Sequence, residues 1–178
     1  MPNVVIDTER LHLREYKTSD LKDVHEYGVD PQVCKYLTWG PNGEKETRDF
    51  IRKSIEDSKD KPRFHYQFAI VLRETNKVIG GAGLILTPAD HRQAEIGYVL
   101  NRAFWGNGYM TEAVRALITY GFEQLKLHRI IAKCDPQNKD SERIMQKCHM
   151  RREAHCMKDQ CIKGIWRDTL IYAILSDE

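Results

Sequence analysis

Apolar and polar positions alternate over Arg10–Tyr16, which predicts a short strand. Thr18-Ser19-Asp20 then offer a helix start ahead of Leu21, Val24 and Tyr27, with Gly28 as the stop. A second helical pattern lies between Glu44 and Ser58, where Phe50, Ile51 and Ile55 are the apolar positions on an otherwise charged surface. From Tyr66 to Arg73 the period returns to two, placing Tyr66, Phe68, Ile70 and Leu72 on one face. The turn Glu74-Thr75-Asn76-Lys77 leads into Val78–Leu86, a predicted hairpin, and Ala94–Leu100 is a further strand.

The cleanest helical period follows. Met110, Ala113, Val114, Leu117, Ile118, Gly121, Phe122 and Leu125 step by three and one, so a single stripe faces the core. Arg129–Cys134 is the next strand, and Asp135-Pro136 breaks it. Asn138 or Asp140 caps a short helix carrying Ile144, Met145 and Cys148. Two closing strands, roughly Glu153–Met157 and Trp166–Leu175, complete the order β-α-α-β-β-β-α-β-α-β-β. That order predicts an α/β (α+β) fold, a mixed and mostly antiparallel sheet with helices on its faces. No repeat, low-complexity tract or linker interrupts it, so residues 1–178 are expected to form one domain.

Chemistry concentrates where the strand ending at Leu100 passes into the strongest helix. The run Trp105-Gly106-Asn107-Gly108-Tyr109-Met110-Thr111-Glu112-Ala113 holds two glycines one residue apart. Glycine lets backbone approach a ligand closely, and consecutive N–H groups at a helix start favour an anion, most naturally a phosphate or diphosphate. With 178 residues, the chain can bury a core without disulfides or metal. Its 28 basic and 26 acidic side chains nearly cancel, which argues against a general nucleic-acid binder. No apolar run approaches a membrane span and Met1–Arg14 lacks a signal-peptide pattern, so a cytoplasmic protein is expected. Five cysteines at irregular spacing then read as mostly buried free thiols.

Several blocks in this order resemble the GNAT superfamily of acetyl-CoA-dependent N-acetyltransferases, and within it the branch that includes the ribosomal-protein N-terminal acetyltransferases. They are Thr8–Arg14, Asp30-Pro31-Gln32-Val33, Ala94–Leu100, Phe104–Ala113, Asn138-Lys139-Asp140-Ser141 and Trp166–Tyr172. The resemblance implies that backbone N–H groups from Trp105, Gly106, Asn107, Gly108, Tyr109 and Met110 hold the coenzyme A diphosphate. It places the pantetheine arm where two strands splay, one ending at Leu100 and one from Arg129. There it would pair with backbone groups of Tyr98, Val99 and Leu100 and bond the side chain of Asn138. The acceptor is implied to be a primary amine, on a protein N-terminus or a small molecule, and the assembly a monomer or homodimer. No membrane or nucleic-acid partner and no metal is expected.

This chain also departs from the family pattern. Ala103 stands where many members carry Arg or Gln. Met145 replaces the tyrosine that acts as general acid in other branches. Cys148-His149-Met150 stands where a Gly-Phe pair is expected; His149 gives up easy access to positive φ, which predicts a changed helix exit.

Acetyl transfer needs a neutral amine, a polarised carbonyl and a proton for the departing thiolate. An α-amino group of pKa about 8 is neutral in roughly one molecule in ten at pH 7, and a lysine near 10.4 in far fewer. Glu95 shares the strand alternation of Gly97 and Val99 and is the candidate base, through a water; the alternative is an ion-paired or solvent-facing carboxylate. Ser141, one helical turn from Asn138, is the candidate donor to the leaving sulfur or partner of the pantetheine; otherwise it satisfies a first-turn amide. The amide of Val99 or Leu100 is the candidate oxyanion donor.

Tyr36 and Trp39 are candidate acceptor-pocket residues, with Trp166 and Arg167 as a possible opposite wall. Cys148, His149, His155, Cys156 and Cys161 lack paired knuckles and make a poor zinc site. A coenzyme A-binding sensor without catalysis is the rival function. A nucleotide hydrolase fits worse, because the loop lacks the lysine and hydroxyl of a P-loop.

Overall fold

The seven expected strands and four expected helices form, and one further short strand precedes them. In chain order these are β1 (Val5–Asp7), β2 (Leu11–Arg14), α1 (Leu21–Gly28), α2 (Glu44–Asp57), β3 (His65–Leu72), β4 (Lys77–Leu86), β5 (Gln93–Leu100), α3 (Tyr109–Glu123), β6 (Arg129–Cys134), α4 (Lys139–Lys147), β7 (Arg151–Ile162) and β8 (Ile165–Leu175). The computed structural model describes residues 4–87 and 92–178.

All strands join one sheet in the order β1-β2-β3-β4-β5-β6-β8-β7, antiparallel except between β5 and β6. Three strand boundaries differ from the sequence expectation. The three-residue β1 was not foreseen. β2 ends at Arg14 rather than Tyr16. β7 runs to Ile162 instead of stopping near Met157, through a register shift between Cys156 and Gln160. There Lys158 takes a positive φ and its amide donates to Asp168.

Helices cover both faces, which is why β3 is buried along nearly its whole length and not on one side only. Phe68, Ile70 and Leu72 join α3 residues Met110, Val114 and Leu117 in one core. Ala69 and Val71 join Val24, Tyr27 and Ile51 of α1 and α2 in the other. Fully burying a side chain of this size contributes roughly 1.5–3 kcal/mol, so the two cores together hold the sheet between the helix layers. Asp20, expected only as a cap, accepts from both Arg14 guanidinium nitrogens at 2.8 Å and from the Lys17 amide, locking the entry to α1 against β2.

The helix exit after α4 is a correction. His149 adopts φ 61, the conformation a glycine would take there, and the Met150 amide donates to the Met145 carbonyl at 3.1 Å. The exit is therefore kept and Met150 is buried at 4% exposure. The cost is a side chain in left-handed backbone, about 1–2 kcal/mol.

Candidate active site

The parallel pairing of β5 with β6 covers only Gln93–Ile96 against Arg129–Ala132. Beyond Ile96, β5 stays paired with β4 to Leu100, while β6 follows β8 to Cys134. The sheet thus opens at Gly97–Leu100, as the splayed-strand expectation requires. The Asn101 amide donates to the Ile79 carbonyl. By strand alternation the Val99 amide also faces β4, whereas those of Tyr98 and Leu100 face the gap. Of the two proposed oxyanion donors, only Leu100 is turned the right way. Val99 instead packs its side chain into the α1/α2 core.

A cavity of about 1030 Å³ runs through this opening. At one end lies the glycine loop. Gly106 and Gly108 both have φ 78, and Gly108 is the residue that starts α3. No hydrogen bond within the protein uses the amides of Gly106, Asn107 or Gly108 among the described residues, and those of Tyr109 and Met110 lie in the first helical turn, where no intrahelical acceptor exists. Five successive donors are therefore available for an anion. The Trp105 amide is not one of them, because it donates to the Arg102 carbonyl at 3.2 Å. Trp105 braces the loop by its indole, which donates to the Leu100 carbonyl at 2.9 Å. The Asn107 side chain donates to the Phe104 and Trp105 carbonyls, and Arg10 stacks on Tyr109 at 4.5 Å and bonds the Asn107 carbonyl. Met110 points into the core.

Across the gap, the Asn138 side-chain oxygen accepts from the Ser141 amide at 3.2 Å, so Asn138 caps α4 as predicted and keeps its NH2 group as a donor. The Ser141 hydroxyl lies 3.0 Å from the Tyr98 hydroxyl, which also reaches the Ser141 carbonyl at 3.2 Å. Burial pushes the Tyr98 phenol well up, so it stays protonated, despite the opposing bond to Ser141. The sequence offered Tyr98 for its backbone alone. Its place on the α4-facing side of β5 was the available signal for a side-chain role. Cys134 lies on the same lining, its thiol pushed up to about 11, chiefly by burial and then by Glu142 and Asp135.

Toward the other end, Glu95 lines the cavity with Lys133 at 2.8 Å from its carboxylate. The ion-paired alternative is realised, yet the carboxylate still faces the opening. Tyr36, Trp39, Phe50 and Tyr16 line the same end, Phe50 edge-on to Tyr16 at 5.2 Å. Arg167 lies near Tyr36 and bonds Asp135 at 2.8 Å. Trp166 is 62% exposed and does not line the cavity, which removes it from the expected wall. The β7–β8 turn arches over this end, where the Lys163 ammonium donates to the Cys34 carbonyl at 2.7 Å.

The five cysteines are free; Cys34, Cys134 and Cys148 are buried, Cys156 is half-buried and Cys161 exposed. Cys148 sits against the Thr111 carbonyl while His155 bonds Asp168, so the Cys/His set does not converge. Among the described residues no helix is long and apolar enough to cross a membrane.

Comparison with known proteins bears on this geometry. Residues 10–151 match the family model described as an acetyltransferase (GNAT) domain. The chain is 39% identical to the uncharacterized N-acetyltransferase YnaD of Bacillus subtilis over 97% of its own length and 98% of the relative's. A GNAT-family acetyltransferase crystal structure from Bacillus anthracis is similar at 36% identity and TM-score 0.87, covering 98% of this chain and 100% of that one. RimL, a ribosomal L7/L12 alpha-N-protein acetyltransferase solved in complex with coenzyme A, shares the fold at 21% identity and TM-score 0.86, over 97% and 98% of the two chains.

Proposed function

Because the chain belongs to the GNAT acetyltransferase family, we propose that it moves acetyl from acetyl-CoA to a primary amine by direct attack on the thioester. The observation that carries this is the run of amides from Gly106 to Met110 that no bond within the described residues uses, opening onto the gap where β5 and β6 part beyond Ile96. When bound, acetyl-CoA supplies an activated acyl group and a thiol leaving group.

The chain's own residues divide the remaining work. Gly106, Asn107, Gly108, Tyr109 and Met110 hold the diphosphate through their amides. Tyr98 and Leu100 offer backbone groups on one lip of the gap, and the Asn138 amide group donates from the other. The Leu100 amide polarises the carbonyl oxygen. Glu95 accepts the amine proton, through a water, on the side of the sheet where Tyr36 and Trp39 enclose the acceptor. Ser141 donates its proton to the departing sulfur, and Tyr98 holds that hydroxyl in place.

The walls favour a small amine, or a single N-terminal residue entering end-on, over a basic tail lying in a trough. The acceptor end is aromatic and arched by the Lys163–Cys34 bond. Its carboxylates Glu95, Asp135 and Asp168 are each already met by Lys133, Arg167 and His155. Five free cysteines suit a reducing compartment, and we place the reaction in the cytoplasm. The test is an acceptor screen with mass detection, offering acetyl-CoA with free amines and short peptides side by side. Acetylation of small amines or of peptide N-termini regardless of downstream charge is expected. Coenzyme A binding with no product across the panel would instead favour a sensor, and product only from long basic peptides would overturn the enclosed pocket.

A further inference from the structure

At the acceptor end, part of the cavity floor is bare backbone. Gly81 and Gly83 of β4 share the face opposite Ala82, which belongs to the α3 core. Gly83 has Gln67 of β3 as its register partner on one side and Gly97 of β5 on the other. All these residues except Ala82 lie on the cavity side of the sheet and line it. The glycines at 81 and 83 make room for two polar groups. A Cβ on Gly81 would collide with the Tyr16 hydroxyl, and one on Gly83 with Gln67 Oε1. The phenol and the carboxamide therefore lie over adjacent same-face positions of β4, which are about 7 Å apart. Gly97 differs, because a Cβ there would meet nothing within 4 Å. That bare spot is one strand spacing, about 4.8 Å, from Gly83.

Neither polar group is satisfied within the protein. Tyr16 is 5% exposed, yet its hydroxyl makes no hydrogen bond among the described residues. The nearby Tyr27 hydroxyl is buried and also without a partner, so the two phenols do not serve one another. Of the two, only Tyr16 lines the cavity. Gln67 is half-buried, and its carboxamide likewise bonds no described residue. A buried hydroxyl left unmet is costly, so a molecule that meets it is favoured. Burial raises the Tyr16 phenol above its usual range, which keeps it a donor at neutral pH. The cations at this end are engaged elsewhere: Lys133 with Glu95, Arg167 with Asp135, and Lys35 over the Tyr36 ring at 5.0 Å. The floor thus suits a neutral hydrogen-bonding group, not a carboxylate or a second ammonium.

We propose that Tyr16 and Gln67 are specificity-determining residues of the acceptor site, and that they read an amide attached to the amine-bearing carbon. The acceptor is then an α-amino amide, supplied either as an amino-acid amide or as a peptide N-terminus. This rests on the acetyl-transfer reading above, which puts the reacting amine over Gly97, between Glu95 and the opening of the sheet. With its nitrogen there, the acceptor lays its amide one strand over, above Gly83. The Tyr16 phenol donates to the carbonyl oxygen, and Gln67 Oε1 accepts from the amide N–H. An alkylamine or polyamine would set only methylenes on that floor and leave both groups unmet, which is how a polar site rejects an analogue.

Thiol release at saturating acetyl-CoA, with glycinamide, glycylglycinamide and isobutylamine as acceptors, tests it. Tyr16→Phe, and separately Gln67→Leu, should lower kcat/KM for the two amides about tenfold, mainly through KM, while isobutylamine holds or gains. Each amine is compared with itself across the variants, so differences in basicity cancel. Circular dichroism and unchanged coenzyme A affinity verify that the variants fold, and either variant alone suffices for the comparison. A response confined to glycinamide assigns the free amide as the source, and one confined to glycylglycinamide assigns the peptide N-terminus. Equal losses for all three amines, or no loss for either amide, would overturn the subsite while leaving acetyl transfer intact. Product from isobutylamine alone would do the same. No product from any amine would bring down the acetyl-transfer reading, and the subsite with it.

Discussion

The Tyr98 hydroxyl lies 3.0 Å from the Ser141 hydroxyl and 3.2 Å from the Ser141 carbonyl, so a β5 side chain is tied across the gap to the first turn of α4. A phenol has one proton to give. Donated to the carbonyl, it leaves the serine proton pointing at the phenol oxygen; donated to the serine oxygen, it releases the serine proton toward the opening. The pair can thus present an outward donor without moving a heavy atom.

Ser141→Ala should lower kcat by roughly a hundredfold, at the low end of general-acid contributions, with coenzyme A affinity largely kept. Tyr98→Phe should lower kcat less, because in the proposed mechanism Tyr98 positions the serine and gives no proton to the sulfur. Thiol release at saturating acetyl-CoA measures both. Unchanged kcat in Ser141→Ala would return Ser141 to a first-turn helix residue.

Glu95→Gln should slow turnover by about a hundredfold at pH 7 while calorimetry finds coenzyme A binding little altered. Removal of its partner, in Lys133→Met, should lower kcat with coenzyme A affinity kept, since the ammonium 2.8 Å away fixes the direction in which the carboxylate points. Unchanged kcat in that variant would show that the pair is only structural.

Gly106→Val or Gly108→Val forces a branched side chain into φ 78, costing about 1–2 kcal/mol at each position. It also puts methyl groups where the proposed cradle would receive the diphosphate. Loss of coenzyme A binding in a variant with native circular dichroism is expected, and unchanged affinity would refute the cradle. Nothing in the protein lies within 4 Å of a Cβ on Gly106, so a binding loss there would come from the ligand side.

His149→Gly should stabilise the protein by about 1 kcal/mol, because glycine occupies the φ 61 conformation without the side-chain penalty. For a chain of this size that is about 2–4 °C in Tm. A lower Tm would mean that the imidazole makes a contribution the backbone argument omits.

Burial alone would raise the Glu112 carboxyl, but bonds from the Thr8 hydroxyl, the Arg10 amide and the Arg10 guanidinium outweigh it and hold the group below its usual range. A depressed carboxylate gives stability above its unfolded pKa and loses it as pH falls through the folded value. Glu112→Gln should therefore be less stable than the unaltered protein at pH 7, with the difference shrinking below about pH 4. Denaturant titrations at pH 7 and pH 3.5 decide it; a constant difference would rule out the linkage.

Much of this was legible in the chain because local signals agreed. β6 occupies Arg129–Cys134 as expected, since Asp135-Pro136 leaves no freedom about where it ends. The α3 stripe was unambiguous over four turns. Three-residue β1 carries no period to detect, and the polar residues of β7 hide a strand that is exposed on both faces. The site divides in the same way. Gly106, Gly108 and Asn138 announced themselves by residue type. Lys133 beside Glu95 did not, because it depends on the parallel register that sets Glu95 opposite Ile131 and brings Lys133, two residues on, to the same face. Tyr98 reaching Ser141 depends likewise on which helix covers which side of the sheet.

The seam between β5 and β6 is four residue pairs long, and it is where the sheet's two plates, β1–β5 and β6–β8, are stitched together. A molecule lodged beyond that seam lends rungs that the polypeptide lacks, so occupancy and mechanical soundness become one variable. Any ligand held only by the folded form adds stability in proportion to the logarithm of its concentration. With coenzyme A in that place, as proposed, the enzyme is at its most fragile when its coenzyme runs short.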